Sequence, residues 1–319
     1  MGGSVNGNGW RWGRQRFRTR THFALAADLD SGYPLSVSGT GRPGWAGAGI
    51  VPGGVRDPRQ STAGRGANRM DVTYAIEPAP DRGPGEGNED FVVAGPSWVL
   101  VLDGATAPAG VDSGCVHDVR WLVRHLAAGL AKSLALQSES LADALAGAIG
   151  MTCDAHGGTC DLGNPSSPSS TVSAVRLRGD DLEYLVLADS PVLLEVGGEV
   201  RAIVDDRLDR LPSRSPAAVR DSRNQPGGFW AASTAPEAAY QAVRGSVPAA
   251  DVRIGAVLTD GASRYVERFG LTDWTGLLGL LEREGPGELI SRVRKAENTI
   301  ERERGKRHDD ATAAVMRMS

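Results

Sequence analysis

Apolar residues recur along this chain with two different periods, and the places where the period changes mark its elements. Asp71-Val72-Thr73-Tyr74-Ala75-Ile76 alternates in twos and predicts a first strand. Phe91-Val92-Val93 and Trp98-Val99-Leu100-Val101-Leu102 are short apolar runs on either side of Gly95-Pro96, which predicts two strands joined by a tight turn. Val119, Leu122, Val123, Leu126, Leu130 and Leu134 then recur at spacings of three and four, the signature of a long amphipathic helix. A second helix is predicted over 138–149, opening on a Ser with Glu139 in its first turn. After a polar loop, Thr152–Ser170, strands return at Val172–Leu177, Leu182–Ala188 and Val192–Val196, punctuated by Gly179-Asp180 and Asp189-Ser190-Pro191. Pro236–Arg244 has the composition of a short helix, and Ile254–Leu258 reads as a strand. Helices are expected from Ala262 and from Pro286, and Ala311–Met316 closes the chain as a strand. Strands following one another as a meander point to antiparallel pairing, so the fold class is α+β rather than a parallel crossover fold.

Composition divides the 319 residues unevenly. Residues 1–69 hold 15 Gly, ten Arg and three acids, a charge of 10 − 3 = +7, which leaves −4 − 7 = −11 for residues 70–319. With no sustained periodicity, 1–69 is expected to be a disordered basic tail or an over-extended start, Met70 then being the initiator. Its Arg, Trp10, Trp12 and Phe17 are also the composition of a nucleic-acid arm, but nucleic acid is not the expected partner. Residues 70–319 read as one domain. No apolar run reaches the ~18 residues of a membrane span, and no secretory signal is evident, so a cytoplasmic protein without membrane contact is expected.

Three Cys bear on metal chemistry. Cys153, His156 and Cys160 form C-x2-H-x3-C in the polar loop, with His117 or Cys115 available as a fourth zinc ligand. That spacing matches no common zinc module, and free thiols with a loop His are the expectation.

The stronger signal is acidic. Asp90, Asp103, Asp260 and Asp309 each stand at a strand edge beside Gly or another acid. Carboxylate oxygens are what Mg²⁺ or Mn²⁺ takes as ligands, and Gly104 leaves a backbone carbonyl open as a further donor. Two such ions ~3.5–4 Å apart bind a phosphoryl group and acidify a water between them. Marking a turn is the commonest use of Asp-Gly, so spacing alone leaves the turn reading open.

Six short motifs then occur in one order: Asn88-Glu89-Asp90, Leu102-Asp103-Gly104, Ser169-Ser170-Thr171, Leu187-Ala188-Asp189-Ser190, Leu258-Thr259-Asp260-Gly261 and Asp309-Asp310-Ala311-Thr312. Their order resembles that of the PP2C (PPM) metal-dependent protein phosphatases over nearly all of 70–319. The resemblance implies a four-layer αββα sandwich, two packed antiparallel sheets flanked by helices, with two Mn²⁺ or Mg²⁺ ions at one end. It implies that Asp103 bridges the metals with the Gly104 carbonyl on one of them, and that Asp260 and Asp309 ligate the other. Asp90 and Glu89 would hold metal-bound waters, and Asp189, preceded by Ala188 where the family has Gly, would help Asp260 hold a third ion. Ser169-Ser170-Thr171 resembles a structural strand start. The nucleophile so implied is metal-bound hydroxide, with no side-chain nucleophile, and the substrate is a phosphoserine or phosphothreonine protein.

Two positions depart from the family. Gly85 stands where a phosphate-holding Arg is usual, so Arg82 is the substitute candidate. Ala105-Thr106-Ala107 replaces the His-Gly-Gly of many eukaryotic members, leaving His117 or His308 as candidate general acids. These departures keep an alternative open: a weak or inactive phosphatase-like module that binds a phosphorylated partner.

Overall fold

The computed structural model describes residues 69–83, 86–137, 139–300 and 306–319; the tail 1–68 and Gly85 lie outside the described residues. In chain order the strands are β1 (Met70–Glu77), β2 (Asp90–Gly95), β3 (Trp98–Ala105), β4 (Ser169–Ser170), β5 (Val172–Arg178), β6 (Asp181–Leu187), β7 (Val192–Val196), β8 (Glu199–Ile203), β9 (Val243–Pro248), β10 (Val252–Leu258) and β11 (Ala311–Met318). The α-helices are α1 (Val119–Leu136), α2 (Leu141–Ala155), α3 (Pro216–Ser222), α4 (Asp260–Glu267), α5 (Trp274–Glu284) and α6 (Pro286–Thr299). One sheet runs β1-β11-β10-β7-β8 and the other β2-β3-β5-β6-β9, with β4 beside β3. Every strand pairing is antiparallel.

Period-two alternation decides the layering. In β3, Val99 and Val101 join Val175, Val186, Leu194, Val257 and Ala314 in a core between the two sheets. Leu100 and Leu102 point the other way and meet Leu122, Leu126 and Leu145 of α1 and α2. The same alternation in the second sheet sends Leu193, Ala256, Leu258 and Val315 against Leu277, Leu281, Leu289 and Val293 of α5 and α6. Both faces of each sheet are thereby covered, which gives four layers, helix–sheet–sheet–helix.

Several boundaries differ from the sequence reading. Helix α2 begins after Ser140, whose hydroxyl accepts from the Asp143 amide, and runs to Ala155, so it takes in Cys153. Pro236–Gln241 is a 3₁₀ turn, and the chain is extended as β9 from Val243, where a helix was expected to Arg244. The helix expected from Ala262 is two, α4 and α5, separated at Gly270 (φ 58°) and restarted by the Asp273 cap on Gly276. Strand β8 and helix α3 were not foreseen. No helix of the described residues is long and apolar enough to cross a membrane.

Candidate metal centre and substrate cleft

Antiparallel pairing brings the acids together. The start of β2, the ends of β3, β6 and β10 and the start of β11 all lie at one edge of the sandwich. Asp90 and Asp103 are direct cross-strand partners. Asp189 follows β6, Asp260 opens α4 directly after β10, and Asp309 precedes β11. Gly104 lets β3 approach this edge closely, since a Cβ there would stand 2.9 Å from the Glu89 carbonyl oxygen. Gly261 is more tightly constrained: its Cβ would lie 1.8 Å from the Asp310 carbonyl oxygen. The glycines after Asp103 and Asp260 thus serve close packing of the site, beyond turn formation.

Asp90 is buried, and one carboxylate oxygen accepts from the hydroxyls of Thr259 (2.9 Å) and Thr312 (2.7 Å). The other, Oδ1, is buried with no partner among the described residues. Burial raises this carboxyl to about 8, assisted by the charges of Asp310 and Asp260. Asp103 is pushed well above the carboxylate range, first by burial and then by Asp90, Asp260, Asp309 and Asp189. Burial and the Asp260 charge lift Asp189 to about 7. Burial and Asp309 raise Asp260. Buried carboxyls that raise one another in this way need protons or cations among them.

These residues suit a divalent metal. The donors are all oxygen, one buried carboxylate oxygen lacks a partner, and adjoining acids repel unless a cation sits among them.

The backbone at Asp103 is held firmly. Its amide donates to the Thr171 hydroxyl at 3.1 Å, and its carbonyl accepts from the Ser170 hydroxyl at 3.0 Å and the Thr171 amide at 2.8 Å. Ser170 and Thr171 therefore position the Asp103 backbone. Asp309 is held from the other side by Arg264 Nη2 at 2.9 Å, and Arg264 in turn bonds Glu297 at 2.7 Å. Glu267, close enough to raise Asp189, adds a further acid on that flank.

Asp310 anchors the loop that carries Glu89. It accepts from the amides of Ala79 and Glu89, both at 2.7 Å, and pairs with Arg82. Arg82 also donates to Glu89 at 2.9 Å, which puts this guanidinium next to the Asn-Glu-Asp motif. Nε and Nη2 of Arg82 are engaged in these bonds, while Nη1 has no hydrogen-bond partner among the described residues. Glu89 accepts from Thr106 as well. Sequence reasoning missed Asp310, Arg264, Thr259 and Thr312. The paired Asp309-Asp310 and the Thr beside Asp260 were visible, but only the packing assigns them partners.

The acids floor a cleft of about 370 Å³ whose walls include Ala105, Thr106, Ser169, Ala188, Arg220, Arg223, Phe229 and Lys306. Helix α3 lies along it, so the Arg-rich segment after Asp205 borders the site. The candidate acids His117 and His308 are not part of its lining. His308 faces Asp81 and Asn298, and His117 lies between two Cys thiols. Cys153 turns instead to the Thr234 carbonyl at 3.5 Å.

Fold and cleft together define the class of metal-dependent serine/threonine protein phosphatases, hydrolases of phosphoric monoesters. The protein phosphatase 2C family model matches residues 85–283, and the chain belongs to that family. The match spans Asp90, Asp103, Asp189 and Asp260, while Asp309 lies beyond it and is placed at the site by the fold. The structure resembles the catalytic domain of the serine/threonine phosphatase PstP in complex with two manganese ions, at 16% identity and TM-score 0.51, covering 79% of this chain and 99% of that one. It resembles PppA of Pseudomonas aeruginosa at 16% identity and TM-score 0.51, covering 79% of this chain and 100% of that one. MsPP of Mycobacterium smegmatis, in complex with cacodylate, gives 16% identity and TM-score 0.50 over 77% of this chain and 97% of its own. Among curated proteins, none matches the sequence of this chain.

Proposed function

We propose that the chain hydrolyses phosphoserine and phosphothreonine in proteins with the help of two Mn²⁺ or Mg²⁺ ions held by its acid cluster. The observation that carries this reading is the unpartnered Oδ1 of buried Asp90, whose direct cross-strand partner is Asp103. In this assignment Asp103 and the Gly104 carbonyl lie at the centre, with Asp260 and Asp309 on one flank and Asp90 and Glu89 on the other. Asp189 with Asp260 would hold a third ion. Bound metals would supply the charge that polarises the phosphoryl group and acidifies the attacking water.

The chain's own residues set the geometry around that charge. Thr259 and Thr312 fix the Asp90 carboxylate, and Arg264 fixes Asp309. On the substrate side, Lys306, Arg220 and Arg223 line the cleft, and Arg82 lines the adjoining hollow with Thr106. These cations are the phosphate-holding candidates in place of the missing Arg at 85. No His lines the cleft among the described residues, and His117, which borders the adjoining hollow, lies between two Cys thiols. Loss of a general acid typically lowers rates ~10²–10⁴-fold; aryl phosphates, whose leaving groups need less protonation, should therefore outpace phosphoserine peptides.

The test is phosphate release from an aryl phosphate and a phosphothreonine peptide, with and without Mn²⁺. Turnover that requires Mn²⁺ and falls at least ~10²-fold in Asp103→Asn is expected. Peptide binding with no release over hours would favour the inactive binding module instead.

A further inference from the structure

Away from the acid cluster, the fold gathers four donors of a different chemical kind. Cys115 and His117, from the segment between β3 and α1, meet His156 and Cys160, at and just beyond the end of α2, with the ligand atoms all within 4.8 Å of one another. We propose that these four residues form a structural Zn²⁺ site of the Cys2His2 type, separate from the phosphatase centre.

The geometry is close to what such an ion requires. Bonds of ~2.3 Å to sulfur and ~2.0–2.1 Å to nitrogen place tetrahedral ligand atoms about 3.3–3.8 Å apart. His117 Nδ1 lies 3.4 Å from Cys160 Sγ and 3.8 Å from Cys115 Sγ. Contraction of about 1 Å at the widest pair completes the shell.

The surroundings prepare His156, His117 and Cys160, while burial pushes the Cys115 thiol up. His156 is buried, and its Nδ1 lies 2.7 Å from the Thr152 carbonyl in the last turn of α2. That bond puts the proton on Nδ1 and leaves the Nε2 lone pair free for a metal, the usual second-layer arrangement of a zinc histidine. Trp121 packs against both imidazoles, stacked on His117 at 4.0 Å between ring centroids and edge-on to His156 at 4.5 Å. The Val116 amide donates to Cys160 Sγ at 3.4 Å, which favours a thiolate there. The Asp161 amide bonds the Gly114 carbonyl at 2.8 Å, so the two segments are already clipped together beside the cluster. The gap bordered by Cys115, His117 and His156 is only about 10 Å³, too tight for a substrate. Four protein ligands with so little space beside them are the arrangement of a structural site, since a catalytic zinc keeps a position open.

Thiolate and imidazole donors select zinc over Mg²⁺ or Mn²⁺, whereas the carboxylate cluster does the reverse. The clasp also has a location with consequences. Of the segments it joins, one leads from Ala105–Pro108 and the other into Pro165–Ser170, and both ends line the phosphatase cleft. Zinc here would pin two walls of that cleft to the end of α2.

The experiment is metal analysis of the full-length protein purified under reducing conditions from zinc-supplemented culture. About one zinc per chain is expected, retained in Cys153→Ser and in Asp103→Asn and lost in Cys115→Ser/Cys160→Ser. Because losing a clasp can unfold the chain, the wild-type protein is also exchanged with Co²⁺. It should develop the intense visible bands of a tetrahedral ion and a sulfur-to-cobalt charge-transfer band. Absence of zinc, zinc content unchanged in the double Cys variant, a Cys115–Cys160 disulfide in place of the metal, or cobalt spectra without thiolate character would each overturn the proposal.

Discussion

Asp90 illustrates how far single residues could be read in advance. Its place at a strand edge marked it as a metal-site acid, but its two Thr partners come from 169 and 222 residues away and no local pattern announces them. Asp310 was quoted with Asp309 but given no role for the same reason, since its bonds to the amides of Ala79 and Glu89 exist only once β11 is in place. The zinc candidates show a partial reading. His156, Cys160, Cys115 and His117 were all considered, yet Cys153, nearest in sequence, was grouped with them because the end of α2 was set too early. Ala188 gives a prediction at this scale. It holds φ 66°, a conformation that costs an L side chain about 1 kcal/mol or more. Ala188→Gly should raise unfolding stability by about 1 kcal/mol in urea titrations of the metal-free protein, with an unchanged m-value. Lower stability in the variant would mean that the Ala188 methyl has packing value exceeding the backbone strain.

At the scale of elements, those with a buried face were legible and those without were not. β3, β5, β10 and α1 carry unbroken apolar periodicity because each contributes to a core. Strands β8 and β9 lie at sheet edges and expose most of their residues, so Glu199–Ile203 and Val243–Pro248 carry little alternation. Helix α3 buries none of its residues and has no apolar stripe to find. Helices α4 and α6 are joined by a buried ion network in which Glu297 accepts from Arg264 at 2.7 Å and Arg294 at 2.9 Å, and Arg264 then reaches Asp309. Removing the carboxylate would take from buried Arg264 one of the three acids around it and its hydrogen-bond partner at Nη1, leaving Asp260 and Asp309. Glu297→Ala should therefore destabilise the fold by about 3 kcal/mol and weaken Mn²⁺ binding by misplacing Asp309. Denaturant titration and calorimetry report the two effects separately. A loss below about 1 kcal/mol would show that the network is solvated and of little weight.

For the whole molecule, the order of six motifs conveyed the architecture, because one sandwich with all its acids at one edge follows from antiparallel topology. What it could not convey was which cations border the cleft, since Arg220, Arg223 and Lys306 arrive from segments with no pattern of their own. The acid cluster also predicts how stability responds to pH. Asp90 and Asp189, with an ordinary value of 3.8, are raised in the fold to about 8 and about 7. A carboxyl raised on folding is disfavoured when ionised, so its penalty is absent at pH below about 4, grows through the interval and is complete above about 8. The metal-free protein should accordingly gain thermal stability as pH falls from 8 to 5. Mn²⁺, which compensates the ionised form, should raise the melting temperature more at pH 8 than at pH 5. Scanning calorimetry with EDTA or Mn²⁺ checks both signs, and a metal effect larger at pH 5 would contradict them.

The central claim is that acids from five strand ends converge on metal ions. Anomalous diffraction at the manganese edge, from crystals equilibrated with Mn²⁺, tests it most directly. Two peaks about 3.5–4 Å apart are predicted, with Asp103 between them and Asp90, Asp260 and Asp309 around them. No peak within bonding distance of Asp103, or a single ion bound elsewhere on the acidic surface, would contradict the account.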